Sequence, residues 1–188
     1  MALTEAQQLR RLQLFEKWRN NHGAYCRTCL RIKDKKEQIR PFEVNAAQLL
    51  MEDFAAQMRQ ETGFVRIIVP KARQLGATTG IQARGYRRAH LEDHKSQMVI
   101  THRDDSTQAM LSMLNLFTAS MDPLFAPELL ESNVRGFKFG NGSQYRIGTA
   151  GGAGAKVGRG WTLGFFHWSE VADRKSTRLN SSHDQRSR

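Results

Sequence analysis

Apolar residues recur at helical spacing near the start of the chain. Leu9, Leu12, Leu14, Phe15 and Trp18 are interleaved with Arg and Gln between about Thr4 and Asn21, the pattern of an amphipathic helix. The stretch Arg31–Arg40 is dense in charge and leads to Pro41. It reads as a solvated linker, with a dedicated DNA patch as the alternative. After Pro41 the pattern changes: Asn45 and Gln48 precede a helix running through about Arg59, and the apolar run Phe64–Val69 has the length of a buried strand. A helix follows from about Thr78 to Glu92, then a short strand Gln97–Ile100. The polar run Thr101–Ser106 can cap a further helix that continues to about Ala119. This β-α-β-α alternation predicts an α/β fold with a parallel sheet flanked by crossover helices. A hairpin comes next, Gly136–Phe139 and Ser143–Ile147 around Gly140-Asn141-Gly142, with the Asn-Gly pair expected to supply positive φ angles.

The segment between the first strand and its helix, Lys71-Ala-Arg73-Gln74-Leu-Gly76-Ala77-Thr78-Thr79, carries the main chemistry. A standard P-loop is G-x-x-x-x-G-K-[ST], in which backbone N–H groups wrap phosphates, a lysine neutralises charge and a hydroxyl binds Mg²⁺. Here the spacing survives and the lysine moves: Lys71 opens the loop, Gly76 stands sixth, Ala77 replaces the usual lysine, and Thr78 keeps the hydroxyl position. An ammonium on a flexible stem can reach phosphates from either end of the loop. Arg73 could oppose charge that develops on the transferred phosphoryl group. The alternative is an ordinary basic strand-to-helix turn.

Further along, Gly148–Gly160 is glycine-dense and basic. It suits either a mobile loop on the phosphate or DNA side, with Arg159 available as an arginine finger, or a plain connector. The run Trp161–Ala172 contains His167-Trp168-Ser169-Glu170 near its end. An apolar strand ending in a carboxylate is how a Walker B segment is built, at the strand edge where α/β sheets bind ligands. Glu170 could activate the attacking water, and Ser169 stands where an Asp usually holds Mg²⁺. A buried strand with an exposed glutamate is the plainer reading.

Composition changes the picture in two places. The chain has 188 residues and net charge +11, which points to a polyanionic partner such as nucleic acid. However, Asp173–His183 matches, residue for residue, the translation of a common sequencing adapter, and an index followed by more adapter accounts for the rest. The native sequence is therefore expected to end at Ala172. Removing the tail's five Lys/Arg and two Asp/Glu lowers the charge to +8. A disordered basic tail is the alternative. The only cysteines, Cys26 and Cys29, form a C-x-x-C with no second pair, and read as packing residues rather than a zinc or redox site. No apolar run is long enough to span a membrane and no secretory signal opens the chain.

In this order, the segments resemble the ATPase domain of the large terminase subunit of tailed bacteriophages. Lys71, Arg73, Gln74, Gly76 and Thr78 match the family's K-x-R-Q-x-G-x-[ST] variant of Walker A. His167, Ser169, Glu170, Val171 and Ala172 match H-x-S-E-V-A, and Asn45 and Gln48 match an N-x-x-Q element associated with adenine. The resemblance covers about 41–172. It implies a P-loop NTPase-type sheet, incomplete at its C-terminal side, with 1–40 as an N-terminal helical segment and 173–188 as the non-native tail. It further implies ATP and Mg²⁺ as ligands, with Gln48, Lys71, Gln74, Gly76, Ala77, Thr78 and Thr79 around ATP, Thr78 and Ser169 at the metal, and Glu170 and Arg73 in catalysis. Implied partners are double-stranded DNA, a small terminase subunit and the portal protein, with a homo-oligomeric ring on the prohead in the host cytoplasm. An RNase H-like nuclease would lie beyond Ala172, and the fragment alone is expected to be inactive. A helicase-like DNA-dependent ATPase and a non-catalytic basic nucleic-acid-binding domain are the other readings. Helicases usually keep G-K-[ST] and D-E, both altered here.

Overall fold

The computed structural model describes residues 4–70, 75–150 and 162–169. Helix α1, Glu5–Asn20, starts from a Thr4 and Gln7 capping box, and Trp18 on its last turn is buried. Asn21 then accepts from Ala24 N (2.8 Å) and begins α2, His22–Cys29. The charged stretch read as a linker is instead a hairpin, β1 (Arg31–Lys33) paired antiparallel with β2 (Ile39–Pro41). Its turn is organised by Asp34, whose Oδ1 accepts from Lys36 N and Gln38 N at 2.8 and 2.9 Å. Charge density hid the turn because the folding signal is one aspartate bonding its own backbone.

Helix α3, Ala46–Thr62, ends at Gly63, which takes φ +78°. The expected strand Phe64–Val69 does not form: these residues lie outside the sheets, and Ile68 is 92% exposed. Local bonds tie the segment to α3, with Thr62 Oγ1 donating to Phe64 O (2.8 Å) and Arg66 N to Met58 Sδ (3.2 Å). An apolar run becomes a strand only where a neighbouring edge offers a ladder. Here both edges of the central strand are taken by others.

That central strand is β3, Ser96–Thr101, between α4 (Ala77–Leu91) and α5 (Asp104–Ala119). It pairs in parallel with β6 (Gln144–Thr149) on one side and β7 (Phe165–Trp168) on the other. β4 (Leu129–Asn133) and β5 (Gly136–Phe139) complete a five-stranded sheet of order β4-β5-β6-β3-β7, with β5 antiparallel to both β4 and β6. The sheet is thus mixed where a parallel one was expected, because the short β4–β5 and β5–β6 connections cannot make parallel pairs. β4 is poor in β-branched and aromatic residues, and pairing with β5 overrides that local preference.

Both α4 and α5 pack on one face of the sheet, that of Val99, Tyr145 and Ile147. The core there is continuous with the N-terminal helices: Trp18 meets Tyr25 and Phe125 edge to face, and Tyr86 meets Phe117 and Phe139 likewise. In the β5–β6 turn only Gly142 has positive φ (+78°). Asn141 is there for another reason: its Nδ2 donates to the carbonyls of Ala89, His90 and Glu92, closing the end of α4.

Candidate phosphate loop and strand end

The loop entering α4 is fixed from behind by the cap of α3. Asn45 Oδ1 accepts from Gln48 N (3.0 Å) and Gln48 Oε1 accepts from Asn45 N (2.9 Å), a reciprocal capping box. The same two side chains reach the loop: Gln48 Nε2 donates to Gly76 O (2.7 Å) and Asn45 Nδ2 to Leu75 O (3.2 Å). Gln48 is buried and both ends of its carboxamide are engaged. In this geometry the N-x-x-Q element acts as a strut under the loop.

Gly76 is the N-cap of α4, has φ +72°, and provides no side-chain cap. The first-turn amides at Ala77, Thr78 and Thr79 therefore keep the character of an anion-binding helix start. A Cβ on Gly76 would stand 2.9 Å from Gln48 Nε2. Glycine is needed there for its backbone conformation and for space. Gly76→Ala is expected to cost about 1–2 kcal/mol from left-handed strain, and to lower the melting temperature by several degrees. A thermal melt checks this. An unchanged midpoint would mean that the loop relaxes freely.

Helix α4 runs antiparallel to β7, as three contacts along it show. Arg88 donates to Gly164 O (2.7 Å), Gly85 lies against the Phe165 ring, and Gln82 Nε2 meets His167 Nδ1 at 3.0 Å. A Cβ on Gly85 would be 2.9 Å from Phe165 and Tyr145 ring atoms, so glycine here lets the helix lie close to the sheet. Extending the series by four helical residues, about 6 Å, and by two strand residues, about 7 Å, brings Thr78 level with Ser169. Ser169 is buried, and its N–H continues the ladder to Ile100 O (2.9 Å). Gln48, Gly76, Ala77, Thr78, Thr79 and Ser169 thus gather at one end of the sheet. Lys71, Arg73, Gln74, Arg159 and Glu170, and the stretches 151–161 and 170–188, lie outside the described residues.

Two polar groups that the sequence did not single out support this end of the sheet. Buried Gln82 accepts from the Tyr145 hydroxyl while its amide nitrogen meets His167, linking β6, α4 and β7. Alongside, Thr101, Thr107 and Thr149 form a hydroxyl chain at 2.6 and 2.8 Å that ends with Thr149 donating to Asp104 Oδ1 at 2.6 Å. It locks the ends of β3 and β6 to the first turn of α5. The sequence signals it only through the polar run after β3, which suggests a helix cap. In fact Arg103 occupies the N-cap and makes no side-chain cap.

A third polar cluster lies between α2, α3 and α4. Cys26 Sγ is 3.4 Å from His22 Nε2, which is 3.8 Å from Glu52, and Glu52 pairs with Arg84 at 2.6 Å. Burial lowers the His22 pKa to about 4, against the opposing pull of Glu52. Both cysteines are free and buried; desolvation raises the Cys26 thiol pKa strongly and that of Cys29 to about 12. Burial thus disfavours the thiolate that a nucleophilic cysteine needs. Among the described residues, no three His, Cys, Asp or Glu side chains are grouped to hold a metal, and no helix is long and apolar enough to cross a membrane. No protein-family model and no characterised protein sequence matches the chain.

Proposed function

We propose that residues 41–172 are the ATP-hydrolysing motor domain of a phage DNA-packaging terminase large subunit. The observation that carries this reading is the convergence of three separate segments, Asn45/Gln48, Gly76–Thr79 and His167–Ser169, at the C-terminal end of β7 and the first turn of α4. That is where an open α/β sheet with a glycine turn before a helix binds phosphates. The absence of a carboxylate cage among the described residues is compatible with Mg²⁺, which is commonly held by one or two protein oxygens together with substrate phosphates. Thr78 and Ser169 are the oxygens offered for it, and the ion would neutralise charge on the β- and γ-phosphates. The α4 amides bind and orient the triphosphate, Lys71 and Gln74 contact it, and Glu170 orients the attacking water. Arg73 or Arg159 supplies the finger. Double-stranded DNA, a small subunit, the portal protein and a homo-oligomeric ring belong to the same proposal, as does an adapter origin for 173–188.

Reading the source DNA past the Ala172 codon tests the proposal cheaply. It should leave the Asp173–Arg188 sequence at once and encode a cluster of carboxylates suited to an RNase H-like nuclease. A source gene that ends without such a cluster would favour a helicase-like ATPase or a basic binding domain.

A further inference from the structure

The bridge between Tyr145, Gln82 and His167 has a direction. Tyr145 is fully buried, and among the described residues its hydroxyl has one hydrogen-bond partner, the Gln82 carboxamide. Were the amide turned the other way, the phenol would accept from Gln82 and its own proton would be stranded in the core, at a cost of about 1–3 kcal/mol. Gln82 Oε1 would also face the Met110 thioether, which now lies 3.5 Å from Gln82 Nε2, where sulfur can accept weakly. Both neighbours thus fix Oε1 toward Tyr145 and the amino group toward His167. An amino group can only donate, so His167 Nδ1 at 3.0 Å must be an unprotonated acceptor. The ring proton then resides on Nε2.

We infer that Gln82, oriented by Tyr145, is a positioning residue that holds His167 in its Nε2–H tautomer and so ties the end of β7 to the start of α4. The bond joins the second turn of the helix to the strand position two residues before Ser169. His167 is thereby a hydrogen-bond donor through Nε2 and a tether. The positioning role rests on the ATPase reading; the tautomer does not.

The test separates the two. In the ¹⁵N-labelled 188-residue protein at pH 8, a long-range proton–nitrogen correlation, assigned with a His167→Asn variant, should give a protonated-type shift for His167 Nε2 and an unprotonated-type shift for Nδ1. Gln82→Glu turns the bridge into an acceptor on both sides and should move the proton to Nδ1. Should that variant not fold, Tyr145→Phe removes the orienting donor and should give a mixture of the two forms. A wild-type Nδ1–H tautomer, or a tautomer indifferent to these changes in folded protein, would overturn the inference. In the full gene product, Gln82→Met should lower kcat about tenfold or more through misplacement, with KM for ATP nearly unchanged. Equal loss in a variant that keeps the tautomer would overturn the positioning role. If the wild-type product turns over no ATP, the ATPase reading and the positioning role fall together, and the tautomer result still decides the tether.

Discussion

Lowering the pH from 7 to 5 should remove about 2 kcal/mol of stability at each of two buried histidines, a large share of a typical total of about 5–15 kcal/mol. His22 and His90 are both buried, and desolvation lowers each pKa from 6.5 to about 4. At His90 a backbone contact with Phe125 opposes the shift and the Arg11 charge adds to it. In the unfolded chain these groups take up protons near pH 6.5, whereas in the folded chain they resist protonation until about pH 4. The unfolded state thus binds more protons throughout that interval, so stability is full above pH 6.5 and falls as the pH drops toward 4. The window lies mostly above ordinary carboxylate titration, so histidine should dominate it. Urea midpoints at pH 7, 6 and 5 measure the effect, and a His22→Leu, His90→Phe double variant should flatten the dependence. A wild-type midpoint that does not move between pH 7 and 5 would mean that both histidines are solvated.

The Gly85→Val change should be the most damaging single substitution at the helix–sheet contact. The first added carbon already meets two aromatic rings at 2.9 Å, and those rings sit on the strands that α4 must cover. Phe165 belongs to β7, and Tyr145 is buried in β6. Relief requires α4 to lift, which breaks the Gln82–His167 contact and opens the core. Overpacking of this kind costs about 1–3 kcal/mol, and the lost buried polar bridge adds about 1 kcal/mol. Thermal unfolding should show a drop on the order of 10 °C. A near-native melting temperature would mean that α4 is less closely seated than its glycine suggests.

The difference between what the chain announced and what it concealed follows from the range of the forces involved. Helices α1, α3, α4 and α5 were legible because apolar spacing and capping residues such as Thr4, Asn45 and Gln48 act within a few positions. β3 and the β5–β6 hairpin were legible for the same reason. Non-local pairing was not: β4 depends on the edge of β5, and Phe64–Val69 has strand composition without a strand partner. At the candidate site, the motif spacing marked Gly76, Gln48 and Ser169. It did not reveal that Gln48 would brace the loop, because that bond spans 28 positions, nor that Gln82 would meet Tyr145 and His167, 63 and 85 positions away.

The most direct measurement is ATP turnover by the complete gene product with Mg²⁺, with and without double-stranded DNA. Hydrolysis that duplex DNA stimulates is the expected result. A fall of at least about 10²-fold is expected in Lys71→Ala and Glu170→Gln, in line with the loss of one catalytic group. No hydrolysis under these conditions, or hydrolysis that both substitutions leave intact, would contradict it.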